Sequence, residues 1–127
     1  MTLRRPLVSL ALLAQALARG CGLCGNEVVS DVRSPDGKLR AVLFRRDCGA
    51  TADWTLHISI LGSSDPFPEG EGNLFRAEND GKIPPRDVKV AWDDSRHLLV
   101  RFSPRLRIYH ESAALGTIRI RYEALTP

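Results

Sequence analysis

Three cysteines, three histidines and a dense set of arginines are the residues of this 127-residue chain whose side chains could do chemistry. Cys21, Cys24 and Cys48 could supply a thiolate nucleophile, a redox pair or a disulfide. A nucleophile at Cys48 needs a free thiol with an imidazole in hydrogen-bond reach. A redox Cys21-x-x-Cys24 needs a helix starting behind it, and Asn26-Glu27-Val28-Val29 reads as extended instead. His57, His97 and His110 show neither His-x-His nor His-x-x-x-His spacing, so no metal pair is expected. His57 falls on the polar side of its strand and His97 at a turn, which reads as two exposed histidines. Glu78, Asp80, Asp93 and Asp94 lie near loops without the spaced ligands of a calcium loop. No catalytic residue, metal or cofactor is assigned on these patterns.

The arginines offer binding rather than reaction chemistry. Arg119 and Arg121 share one face of a strand. With Arg101, Arg40 or Arg46 on neighbouring strands they would form a basic face for anionic lipid headgroups or an acidic partner. The competing reading is a solvated face neutralised by equally numerous carboxylates. Net charge decides little here. The whole chain carries +3, but Arg4, Arg5 and Arg19 all precede Cys21 and no acidic residue does. From Cys21 onward basic and acidic residues balance, which removes the charge argument for nucleic acid.

Those same arginines open a targeting segment. Arg4 and Arg5 precede an apolar run from Leu7 to Leu17, and Ala18-Arg19-Gly20 lead to Cys21. A charged start, a short apolar stretch and small residues describe a signal peptide over residues 1–20. The apolar run is too short, as a helix, for a hydrocarbon core of about 30 Å. Gly20 before Cys21 fits a lipoprotein signal, in which the Cys21 sulfur carries a lipid and Cys24 and Cys48 remain to pair. A Cys24–Cys48 bridge would close a loop worth about 3 kcal/mol in chain entropy. Ordinary cleavage near this point, or a Cys21–Cys24 bridge that leaves Cys48 single, are the alternatives.

The elements that must position these groups read as strands throughout, in one domain over residues 21–127. Val28-Val29 begins a strand that ends at the turn Ser34-Pro35-Asp36-Gly37. Leu39 to Phe44 form the next, and Asp47-Cys48-Gly49-Ala50-Thr51 breaks it. Trp54, Leu56, Ile58 and Ile60 alternate strictly with polar residues, as a half-buried strand does. Gly62 to Gly72 is rich in Ser, Asp, Pro, Glu and Gly and reads as a long solvated loop; a short strand over Asn73–Ala77 follows it. Val88, Val90, Trp92 and Leu98, Val100, Phe102 form a hairpin around Asp93-Asp94-Ser95-Arg96, and Ile118, Ile120, Tyr122 a last one-sided strand. The expected fold is all-β, a single small antiparallel β-sandwich or open barrel of six to eight strands after the N-terminal signal.

Part of the chain resembles an uncharacterised family of small bacterial exported proteins, many of lipoprotein type. The residues that carry the resemblance are Cys24-Gly25-Asn26-Glu27, Ser34-Pro35-Asp36-Gly37-Lys38, Ala41-Val42, Phe44 and Arg46-Asp47-Cys48-Gly49-Ala50-Thr51. They span about a third of the chain, and Ala52-Asp53-Trp54 departs from the Thr, Gly and Ser usual in that family after Thr51. The resemblance implies export and a cysteine pair, and no activity. The functional expectation is therefore a membrane-tethered, non-enzymatic interaction module of the bacterial envelope, facing the periplasm, with an unidentified envelope protein as partner. Gly22, standing where Asp would mark inner-membrane retention, points to the outer membrane. The alternative is an inhibitor of a secreted hydrolase, presenting the Asp47–Thr51 loop with Asp47, Gly49, Ala50 and Thr51 as its contact residues; a Cys/His enzyme is the third reading. Oligomeric state is left open.

Overall fold

Alternating apolar residues place two β-sheets against each other. In a computed structural model, which describes residues 24–49, 54–78 and 83–126, the described chain is all-β. Its strands are β1 (Gly25–Arg33), β2 (Leu39–Asp47), β3 (Thr55–Gly62), β4 (Phe75–Glu78), β5 (Val88–Asp94), β6 (His97–Phe102), β7 (Arg107–Glu111), β8 (Ala114–Leu115) and β9 (Ile118–Ala124). The first sheet has the order β1-β2-β3-β4-β7, the second β5-β6-β9-β8, and neither closes into a barrel. The signal segment and Cys21 lie outside the described residues.

The core is where the period-two faces meet. Ala41, Leu43, Leu56, Ile58, Phe75 and Ala77 of the first sheet pack with Val88, Leu98, Val100, Ile118 and Ile120 of the second. Phe75 joins the layers, its ring 6.3 Å from that of Phe102 and 6.1 Å from that of Tyr122. The Tyr122 hydroxyl donates to the Ser112 carbonyl at 2.7 Å, and burial pushes its pKa up to about 12. Trp92 crosses between the sheet edges, its indole N–H donating to the Val32 carbonyl at 2.9 Å.

The Ser34–Lys38 turn forms as its residues require. Gly37 takes a φ of 73°, the Ser34 hydroxyl donates to Asp36 Oδ1, and the Lys38 amide donates to the same oxygen. Asp36 in turn receives Ser95 as an acceptor for its amide, which seats this turn against the β5–β6 turn.

Several expectations are corrected. β6 and β9 pair in parallel, so the second sheet is mixed rather than wholly antiparallel. β7 and β8 add strands to the expected set; the alternation of β7 is interrupted by a bulge at Tyr109, between the Arg76↔His110 and Ala77↔Ile108 pairs. Gly62–Gly72 is a loop with most of its residues exposed, as expected, but its course is tied down. This segment is a strap drawn across the outer face of the first sheet. The Arg40 guanidinium donates to the Ser63 and Asp65 carbonyls, Asn26 Nδ2 to those of Pro68 and Gly70, Arg46 to that of Glu69, and Arg76 to that of Gly72. Asn73 then pairs with both backbone groups of Ile60, at 2.9 and 3.0 Å, and leads the chain into β4. Polar composition marked this segment as solvated, but its own carbonyls are the groups being held.

Candidate functional site

Beneath the strap β2 and β3 are buried on both faces. Val42 and Phe44 are fully enclosed on the side away from the sandwich core, and Ser59 nearly so. His57 lies among them at 1 % exposure, so the expectation of an exposed histidine is wrong. Its ring stacks on Phe44 with centroids 5.3 Å apart. The Gly72 amide donates to Nδ1 at 2.9 Å, which leaves the proton on Nε2, 2.7 Å from Thr55 Oγ1. Burial, and then the Arg46 charge, hold the imidazole down to about 4; Glu71 pulls it back up, and Arg76 adds a lesser downward push. A neutral, fully bonded histidine under a strap is a packing group. Gly72 permits the close approach: a Cβ there would meet the Ile58 carbonyl oxygen at 2.8 Å and His57 Cβ at 2.9 Å.

Arg40 and Arg46 belong to this sealed face, away from the arginines of β6 and β9. Arg40 is buried at 7 % exposure, makes a two-pronged pair with Asp31 at 3.1 and 3.2 Å, and lies under the ring of Phe67.

Cys24 and Cys48 sit at one corner of the first sheet. Cys24 and Cys48 form a disulfide across the start of β1 and the end of β2, so neither is a free thiol. The interaction loop expected at Asp47–Thr51 begins beside it: the Gly49 amide donates to Asp47 Oδ1 at 3.1 Å, and Gly49 adopts a φ of 129°. Ala50 and Thr51 lie outside the described residues.

The three arginines Arg101, Arg119 and Arg121 are brought together on the outer face of the second sheet. The parallel β6–β9 register sets His97 beside Arg119, Leu99 beside Arg121 and Arg101 beside Glu123. The β5–β6 register adds Lys89 beside Arg101 and Ala91 beside Leu99. Two carboxylates share the face: Arg101 lies 3.3 Å from Glu123, and Arg121 lies 3.4 Å from Glu123 and 3.6 Å from Asp93. Lys89 and Arg119 have no carboxylate at ion-pair distance among the described residues. Leu99 points outward yet is only 7 % exposed; the stems of the long cationic side chains around it account for this. His97 stays exposed at the edge, 2.8 Å from Asp94 Oδ1.

Concavity also belongs to this side. An open hollow of about 510 Å³ is lined by Asp87, Lys89, Ser103, Pro104, Arg105 and Leu125, and a second of about 420 Å³ by Lys89, Ala91, Leu99 and Arg101. A third, of about 120 Å³, lies between Asp93, His97, Arg119 and Arg121. Lys89 and Arg105 are the members that sequence reading missed. The signal for Lys89 was its place in the alternation Val88-Lys89-Val90, opposite to the core residues; Arg105 lies in a turn and gave none. Among the described residues no three His, Cys, Asp or Glu side chains cluster as metal ligands. In comparisons with known proteins no family model, no curated protein and no solved structure matches this chain.

Proposed function

We propose that the protein is exported and held on a bacterial envelope membrane through a lipid on Cys21, where its β domain acts as a non-enzymatic interaction module. The observation that carries this reading is the Cys24–Cys48 disulfide. A disulfide belongs to an oxidising compartment, and this one uses two of the three cysteines, leaving Cys21 alone at the end of an apolar segment. The resemblance to small exported lipoprotein-type proteins points the same way, and so does the pairing of Cys48, which removes the thiol that a Cys/His enzyme would need.

The test is the intact mass of the protein recovered from membranes, with and without reduction and alkylation. The expected result is an acylated chain beginning at Cys21 whose two alkylatable thiols appear only after reduction. A soluble, unacylated chain would overturn the tether.

Inhibition of a secreted hydrolase is the second reading. It is favoured by the disulfide at the root of the Asp47–Gly49 loop, since a pre-ordered loop loses little entropy on entering an active site. Absence of inhibition at micromolar protein across lysozymes and proteases would eliminate it.

A further inference from the structure

We propose that the uncovered face of the second sheet rests on the anionic lipid headgroups of the leaflet that holds the chain, with Lys89, Arg101, Arg105, Arg119 and Arg121 as the phosphate-facing cations. The argument begins with what the two outer faces lack and hold. The strap occupies the first sheet's outer face with its own carbonyls. Nothing in the described chain covers the second, and all three hollows described above are lined by its residues or by the turn beside it.

The pattern of charge on that face suits a flat anionic partner. Cations stand on three neighbouring strands, about 4.8 Å apart across the sheet and about 6.7 Å apart along it. Two carboxylates, Glu123 and Asp93, sit between them at 3.3 to 3.6 Å from Arg101 and Arg121. Contacts of that length to half-exposed groups leave guanidinium N–H donors free for phosphate oxygens. Lys89, Arg105 and Arg119 are not committed to a carboxylate among the described residues. Ala91 and the enclosed Leu99 keep the middle of the face low, so a surface can approach the side-chain tips without a ridge.

The topology selects the leaflet as the occupant. β1 runs from the Cys24 corner to the Ser34–Lys38 turn, which is bonded to Ser95 of the β5–β6 turn, and Val32 is bonded to Trp92. The start of β5 and the end of β6 therefore lie toward the Cys24 end of the sandwich, and with them Lys89, Arg101 and the Ser103–Leu106 turn that carries Arg105. Only Gly22 and Leu23 separate Cys21 from Cys24, and the three steps from Cys21 to Cys24 reach at most about 10 Å. A lipid on Cys21 would thus keep the Cys24 end of the sandwich, and these cations with it, on the side turned toward the headgroups. The inference rests on the tethered reading for this choice of leaflet, and on the face itself for the charge.

The protein recovered from membranes is reconstituted with vesicles of phosphatidylcholine alone or of phosphatidylcholine with one-third phosphatidylglycerol, then briefly acetylated. Mass spectrometry reads Lys89 against Lys38, which lies at the far end of the sandwich. The expected result is an Lys89:Lys38 ratio about tenfold lower on the anionic vesicles, recovered at high salt and lost in the pair Arg119→Gln with Arg121→Gln. The pair Arg33→Gln with Arg107→Gln removes equal charge from the first sheet and should leave the protection intact. An unchanged ratio, or equal loss in both pairs, would overturn the proposal. So would protection of Lys89 by polyglutamate on neutral vesicles, which would make an acidic protein the occupant. The intact mass separates the two readings: an acylated chain without Lys89 protection keeps the tether and rejects the face, while protection without acylation does the reverse.

Discussion

The outer faces of the two sheets are built from similar alternating strands and end in opposite states. On the first sheet, β2 and β3 carry Val42, Phe44, His57 and Ser59 outward, and the Gly62–Gly72 strap closes over them until they are buried. On the second, β5, β6 and β9 carry Lys89, Arg101, Arg119 and Arg121 outward, and the described chain leaves them open. Arginine appears on both faces with different duties. Arg40 and Arg46 are acceptor-matched clamps on backbone carbonyls; Arg101 and Arg121 share two carboxylates at longer range in water. A cation under a strap is structural, and the same residue type on a bare sheet is available to a partner.

The largest effect that could break this contrast comes from what the strap covers. Phe44→Ala should cost about 4 kcal/mol, the usual loss for a fully enclosed phenylalanine, read as a lower urea midpoint at unchanged slope. A loss under about 1 kcal/mol would mean that the strap leaves the ring in water.

An intermediate effect tests the same seal by proton. Folded His57 titrates at about 4 because burial, then Arg46, disfavour its charge, whereas an unfolded histidine titrates near 6.5. Between these values the unfolded chain binds more protons, so stability falls as pH drops from about 6.5 toward 4 and the loss levels off below. His57 alone should contribute on the order of 3 kcal/mol to that slope. Urea titrations at several pH values should show it in the native chain and show it flattened in His57→Gln; the same slope in both would place the imidazole outside the seal.

The smallest effect belongs to the bare face. Arg119→Gln together with Arg121→Gln should change stability by less than about 0.5 kcal/mol, because exposed pairs at such distances are screened. A clear fall in melting temperature would make the face structural and bring it closer to the first.

Much of the fold is legible in the sequence. The Ser34–Gly37 turn, the β5–β6 hairpin and the strict alternation of β3 rest on signals a few residues long. So did the grouping of Arg119 with Arg121. The strap was not readable as one, because the groups that hold it are backbone carbonyls, which every residue has, and because its clamps Asn26, Arg40, Arg46 and Arg76 are scattered over the chain. One hint was present. Ala41-Val42-Leu43-Phe44 places four apolar residues in succession, which a strand wetted on one face does not need.

By itself the sequence determined most of the strands, all but β7 and β8, where the tight turns fall and which residues share a face, since side-chain period and turn chemistry are local. Cysteine counting narrowed the pairing, but the disulfide required β1 and β2 to meet in register. Tertiary structure alone decided that β6 lies parallel to β9, that His57 is enclosed, and that Arg40 and Arg101 look out of different sheets. The physical reason is that burial is a property of the segment lying above a face. That segment arrives from elsewhere in the chain, beyond the reach of any local pattern.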